Sequence, residues 1–232
     1  MSGGSTANTG PTVTAIVTFW NRERYLREAI ESVLGQRHAV ELVLVNDGST
    51  DGSADIARRF VAPARLLEQD NRGAPGAANT AMQNATGDYI AFCDSDDIWT
   101  TCKLDVQLAA LAADPTLDFV FGHGEEFLSP ELDPATIRTR AIREVIPAKL
   151  PSAALFRRSL FDRVGPFDER LQSGAWVNWY ARAHVIGVRE TMLPEVVLRR
   201  RIHEANNFSM RQDAALDYLR ALRPLVQKHR DS

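Results

Sequence analysis

The stretch ELVLVNDGSTDGSADIARRF, residues 41–60, contains one strand, one turn and one helix. Leu42, Val43, Leu44 and Val45 form an apolar run too short for a helix and closed by turn formers, which argues a strand buried on both faces. Asn46, Asp47, Gly48 and Ser49 supply the turn, and Ala54, Ile56, Ala57 and Phe60 then recur at helical spacing. The same step is repeated on either side. Upstream, VTAIVTF (Val13–Phe19) precedes a helix marked by Tyr25, Leu26, Ala29, Ile30, Val33 and Leu34 and stopped at Gly35. Downstream come a short strand at 64–67, a Gly-rich loop, an Ala-rich helix over 76–85 and the strand YIAFC (Tyr89–Cys93). The unit is βαβαβαβ.

Parallel strands need crossovers, and helical crossovers cover both faces of the sheet. The expected fold is therefore a single α/β domain, with a mostly parallel central sheet flanked by helices and ligands at the carboxyl ends of its strands. Three polar clusters fall there: Asn21 after the first strand, Asn46 and Asp47 after the second, and Asp94, Ser95 and Asp96 after the fourth. Beyond them, Leu104, Leu108, Leu111 and Ala112 mark a helix ending before Pro115, and DFVFGH (118–123) reads as a fifth strand. Residues 125–149, with three prolines, read as an irregular excursion over the sheet. Trp176, Trp179, Tyr180 and Ala183 give a further helix, in which core packing outweighs sugar stacking as the reason for the aromatics. VVLRRRIH (196–203) reads as a late strand, and a final amphipathic helix is expected from about 213 to 228. Residues 1–11 are small and polar and read as a tail.

Composition narrows the function. Lys and Arg number 27 against 30 Asp and Glu, and a net charge of -3 argues against a nucleic-acid binder driven by bulk basicity. Cys93 and Cys102 are too few for a disulfide framework and lack zinc-ligand spacing. No apolar run approaches a transmembrane span and the N-terminus lacks a signal-peptide pattern, so a soluble cytoplasmic protein is expected.

FCDSDDIW (92–99) places three carboxylates within four residues. An EF-hand loop starting at Asp94 would need Gly sixth and Glu twelfth, where this chain has Trp99 and Asp105. Alternating carboxylates on a strand-end loop suit instead one divalent ion that keeps positions open for a ligand's phosphates. The loop DNRGAPGAAN (70–79) has neither GxGxxG nor GK[ST], so neither NAD nor ATP hydrolysis is indicated. HEANN is not HExxH, and His203 draws its interest from Arg199, Arg200 and Arg201 before it. Strand alternation sends Arg199 and Arg201 to one face and Arg200 to the other.

TFWNRERYLREAIESVLGQ, ELVLVNDGSTDGSADIARRF, DNRGAPGAANTAMQNATGDYIAFCDSDDIW, GPFDERL and RRRIHEANNFS, in that order, resemble the family 2 glycosyltransferases. The resemblance implies a GT-A fold, with residues 12–100 as the nucleotide-binding half and 101–232 as the acceptor half. It implies that Thr18, Phe19, Asn21 and Asp47 form the pocket for base and ribose, with Arg72 as a substitute for a missing loop arginine. It also implies that Asp94–Asp96 is the DxD motif, with Ser95 between. Asp96 would bind the metal, Asp94 would hold the ribose or metal shell, and His203 would be a late metal ligand. The implied partners are Mn²⁺ or Mg²⁺, with an imidazole ligand leaning toward Mn²⁺, a nucleoside diphosphate sugar donor, and a small-molecule or peptide acceptor.

One departure bears on activity. The helix after GPFDE in the family usually carries a carboxylate as general base, whereas this chain reads SGAWVNWYARA, with Ala175 and Asn178 at the candidate positions. Asp168, Glu169, Glu125 and Glu126 are looser candidates. Two rival readings follow: a sugar-nucleotide-binding protein that has lost transfer, and a nucleotidyltransferase, which lacks a Gly-rich basic triphosphate signature here.

Overall fold

Strands that hide both faces from water need helices on both, and the chain supplies them in alternation from β1 to β4. The computed structural model describes residues 10–132, 145–171 and 173–203; the helix expected over 213–228 lies outside them. In order come β1 (Val13–Phe19), α1 (Leu26–Leu34), β2 (Val40–Asp47), α2 (Ser53–Arg58), β3 (Arg65–Gln69), α3 (Gly73–Asn84) and β4 (Tyr89–Asp94). Then follow β5 (Ile98–Trp99), α4 (Lys103–Ala113), β6 (Phe119–Leu128), β7 (Ile146–Pro147), β8 (Ala154–Arg157), α5 (Ser159–Val164), α6 (Ala175–Val185) and β9 (Glu190–Ile202).

The period of two along each strand sorts the core into two layers. Val13, Ala15, Val17 and Phe19 join Leu42, Leu44, Ala91 and Cys93 against α1, α2 and α4. Ile16, Val43, Val45, Ile90 and Phe92 face the other way, against α3, α5 and α6, where Trp179 is fully buried and Trp176 and Tyr180 pack beside it. The aromatics of α6 are thus core.

Strand order is β3-β2-β1-β4-β8-β6-β9-β5, with β7 on the side of β6. Pairs β1/β2, β2/β3 and β1/β4 are parallel. Parallel pairing dominates only that first half: β8 runs antiparallel to both β4 and β6, β5 antiparallel to β9, and only β6/β9 is parallel beyond β4.

The expected loop over 125–149 is corrected. Glu125–Leu128 continue β6 and pair with Arg199–Ile202 of β9. Two adjacent glutamates look like loop residues, but arginines opposite them on the neighbouring strand make them cross-strand pairs.

α4 also buries a cation. Lys103 is fully buried, with Nζ donating to Gln107 Oε1 at 2.9 Å and to the Ala154 carbonyl at 3.2 Å, 5.0 Å from the centre of the Trp99 ring. Desolvation pushes its pKa down to about 7. Between that value and the unfolded one the unfolded chain binds the extra proton, so stability rises with pH through this window and the penalty is complete below it. Measured against Lys103→Met, the parent should gain stability from pH 7 to 9.5, at no more than about 1.4 kcal/mol per pH unit. Parallel pH profiles of the two melting curves would contradict this.

Candidate active site

The chain leaves β1 for β2 and β3 on one side and returns to β4 on the other. Such a reversal opens a crevice at the carboxyl ends of β1 and β4. Thr18, half-buried, is the register partner of Val45 on one side and Asp94 on the other, which brings the first and fourth strand ends together. The crevice is where the polar clusters meet.

The loops after β1 and β2 are laced to each other. Asn21 takes a positive φ of 52°, which asparagine tolerates, and its Oδ1 accepts the Thr50 N–H at 2.8 Å while its own N–H reaches Ser49 Oγ at 3.1 Å. Asn46 Oδ1 accepts the Ser49 N–H at 2.9 Å. Gly48 sits at φ 73°, and a Cβ there would meet the Asn71 backbone nitrogen at 2.9 Å, so a side chain would break the loop contact as well as strain the turn. Asp47 is buried, and its Oδ1 accepts from Gln69 Nε2 at 2.6 Å and from the Arg72 N–H at 2.9 Å. Asn21 therefore ties the loop after β1 to the loop after β2, while Asp47 is fixed at the end of β2 by two donors, one from the end of β3 and one from the segment after it.

Two expectations are refined here. The Phe19 ring is 2% exposed and belongs to the core layer under α1, so it does not line the crevice. Its neighbour Trp20, the first residue past the end of β1, is 50% exposed. That aromatic was missed, although its place directly after an inward Phe19 was legible. Arg72 does lie beside the pocket, but its guanidinium is engaged by Glu169 at 2.7 and 2.8 Å.

In the acidic loop the three carboxylates are held differently. Asp97, 3% exposed, accepts the Arg201 N–H at 2.9 Å, and desolvation, followed by the charges of Asp94 and Asp96, pushes its pKa well up. Asp94 is exposed at the end of β4, and partial desolvation of its carboxyl, followed by the Asp96 charge, raises its pKa against a hydrogen bond from Ser152. Burial raises Asp96 too, but the hydrogen bond with His203 and the Arg22 charge outweigh it and hold Asp96 low. His203 Nε2 lies 3.0 Å from Asp96 Oδ2 and Arg22 Nε 3.6 Å. The three carboxylates raise one another's pKa, and Asp96 alone is held down, by the hydrogen bond with His203 and the charge of Arg22. Ser95 is buried between them.

β9 clamps this loop. Arg201, 3% exposed, donates from Nε to the Asp96 carbonyl at 3.1 Å and from Nη2 to Glu28 at 2.6 Å, with its guanidinium carbon 5.1 Å from the Tyr25 ring centre and 4.6 Å from that of Phe127. Arg199 shares Phe127, and Arg200 pairs with the buried Glu126 at 3.2 Å, as alternation along the strand requires.

Among the described residues no three His, Cys, Asp or Glu side chains form a ready metal cage. Asp96 and His203 touch, with Asp94 two residues away, which fits an ion completed by a ligand's phosphates better than an all-protein site. Next to this pair a cleft of about 250 Å³ runs along residues 21–25 to Asp51, Glu131 and His203.

Each carboxylate among the base candidates is already paired with an arginine. Glu169 is bonded to Asn79 and Arg72 and held low by them, and Asp168 is held low by Arg170. Glu125 pairs with Arg199 at 2.5 Å, and Glu126 with Arg200. At the start of α6 stand Ala175 and Asn178, whose Oδ1 accepts from Arg182 at 3.1 Å.

A parallel first half, a mixed second half and a strand-end acidic loop at the β1/β4 crevice make up a GT-A-type glycosyltransferase fold. The Glycosyl transferase family 2 model matches residues 14–165, and the chain belongs to that family. It is 30% identical over 220 residues to an uncharacterized glycosyltransferase of Nostoc sp., covering 84% of this chain and 66% of that protein. It is 44% identical over 89 residues to the glycosyltransferase GlyA of Streptococcus pneumoniae, covering 37% of this chain and 13% of GlyA. In structure it resembles S. aureus TarS in complex with UDP-GlcNAc (TM-score 0.74, 21% identity, 94% of this chain and 66% of that one). It also resembles the mannosyltransferase PcManGT from Pyrobaculum calidifontis in complex with GDP-Man and Mn²⁺ (TM-score 0.72, 24% identity, 95% and 65%). Among the described residues no helix is long and apolar enough to cross a membrane.

Proposed function

We propose that this chain is a metal-assisted, inverting glycosyltransferase that moves a sugar from a nucleoside diphosphate sugar to a small-molecule or peptide acceptor. The observation that carries the reading is the meeting of Thr18, Asp47, Asp94 and Asp96 at one crevice, reached from three separate strands. TarS with UDP-GlcNAc and PcManGT with GDP-Man and Mn²⁺ support the donor class. Residues 12–100 would hold the nucleotide and 101–232 the acceptor. Both cysteines are free thiols, which suits the cytoplasm.

Asp47 anchors the base, and the exposed tryptophan, Trp20, offers it a stacking face. Asp96 and His203, with Asp94 beside them, would hold Mn²⁺ or Mg²⁺, which when bound offsets charge on the departing diphosphate. Arg22, 3.6 Å from Asp96, adds positive charge on the same side. The acceptor hydroxyl oxygen would attack the anomeric carbon opposite the diphosphate as the carbon–diphosphate bond breaks, with its proton released to water or to the departing diphosphate, and that centre is inverted.

Calorimetric titration of UDP and GDP, with and without Mn²⁺, tests the reading; no metal-dependent binding of either nucleotide would overturn it. Trp20→Ala should weaken nucleotide binding roughly ten- to a hundredfold, the effect of losing one stacked base, and unchanged affinity would place the base elsewhere. A second reading, a nucleotide-sugar-binding protein without transfer, is favoured by Ala175 and Asn178 at the start of α6. Turnover of a UDP or GDP sugar by the parent chain would exclude it.

A further inference from the structure

Asp94 is oriented from behind. Ser152 Oγ donates to Asp94 Oδ2 at 2.9 Å, and Ser152 is fully buried. It sits in a 3-10 turn, Pro151–Ala153, between β7 and β8. That turn is tied down by α4: Gln107 Nε2 donates to the Ala153 carbonyl at 2.8 Å and the Val120 carbonyl at 3.3 Å. Lys103 Nζ donates to the Ala154 carbonyl and to Gln107 Oε1. Lys103, Gln107 and Ser152 are all fully buried, and polar groups persist in a core only when each is bonded.

A carboxylate turns easily about its terminal bond, since that torsion is broad and roughly two-fold. A fixed donor on Oδ2 removes that freedom and leaves the other oxygen for a ligand. The donor is held in place from α4, because Gln107 bonds the last residue of its turn and Lys103 bonds Ala154, the residue that follows. We infer that Ser152, braced by Lys103 and Gln107, is the positioning residue of Asp94 and sets which carboxylate oxygen meets the metal-bound diphosphate donor. This rests on the donor-site reading above.

The test uses the full chain with Ser152→Ala, Ser152→Cys, Asp94→Asn and the double variant Ser152→Ala/Asp94→Asn. Three quantities are read: melting temperature, affinity for UDP and GDP without metal, and Mn²⁺-dependent affinity, with free Mn²⁺ followed by its paramagnetic resonance. Removing an orienting partner behind a metal ligand costs on the order of 10- to 100-fold in metal affinity. Ser152→Ala should lose that much Mn²⁺-dependent affinity with metal-free nucleotide affinity unchanged. Ser152→Cys, a weak donor of similar size, should lose most of the same factor. In the Asp94→Asn background the serine change should cost less than about twofold, because the two residues act as one unit.

Parent-like Mn²⁺-dependent affinity in both serine variants overturns the inference alone. So does an equal loss with and without Asp94, which marks Ser152 as merely structural. If the parent shows no Mn²⁺-dependent binding of UDP or GDP, the donor-site reading falls and this inference falls with it.

Discussion

Asp96→Ala is expected to lower Mn²⁺-dependent affinity for UDP or GDP by at least about a hundredfold, and transfer by roughly a thousandfold, as when one preorganised electrostatic group is removed from a transition state. Asp96 is the hub of the crevice. Its carboxylate meets His203 at 3.0 Å and Arg22 at 3.6 Å, and of the acidic trio it alone has its pKa held down. Alanine leaves two cationic or potentially cationic groups facing each other where a carboxylate had separated them. Asp96→Asn is the sharper comparison, because it keeps the shape and removes the charge. Retained metal-dependent binding in both variants would show that the ion, if any, is held elsewhere.

Arg201→Ala has the largest expected effect on stability, a loss of about 3 to 4 kcal/mol from packing, cation–π attraction and an orphaned carbonyl together. The guanidinium lies between two aromatic rings with almost no exposure, so its removal costs packing and cation–π attraction together. It also strips the Asp96 carbonyl of a donor. Glu28 is half-exposed and will be rehydrated, so that pair adds little. For a chain of this length the loss amounts to about ten degrees in melting temperature. Urea denaturation gives the free energy directly. Because the Arg201 side chain also holds the acidic loop against β9 and α1, nucleotide affinity should fall even where the variant is fully folded. A change below about 1 kcal/mol would mean the clamp is incidental.

Some of this was open to reading before any coordinates. The alternation of apolar runs and helical periods is visible because strands buried on both faces must be apolar throughout. The acidic loop was visible because like charges so close need an explanation. Glu125–Leu128 were not legible as strand, since their charges are matched only by Arg199–Arg201, some 74 residues on. Arg72 looked available for a nucleotide, and only Glu169, 97 residues away, shows it engaged.

What the chain's own pattern determined is local: which segments become strands and helices, and that polar side chains end the first, second and fourth strands. Periodicity and turn chemistry act over a few residues, so they survive in a one-dimensional reading. Only the tertiary structure decided which polar groups face one another: that Trp20 is exposed and Phe19 is not, that His203 reaches Asp96, and that Ser152 stands behind Asp94. Those pairings are set by strand order and by packing across the sheet, where residues 58 or 107 positions apart become neighbours.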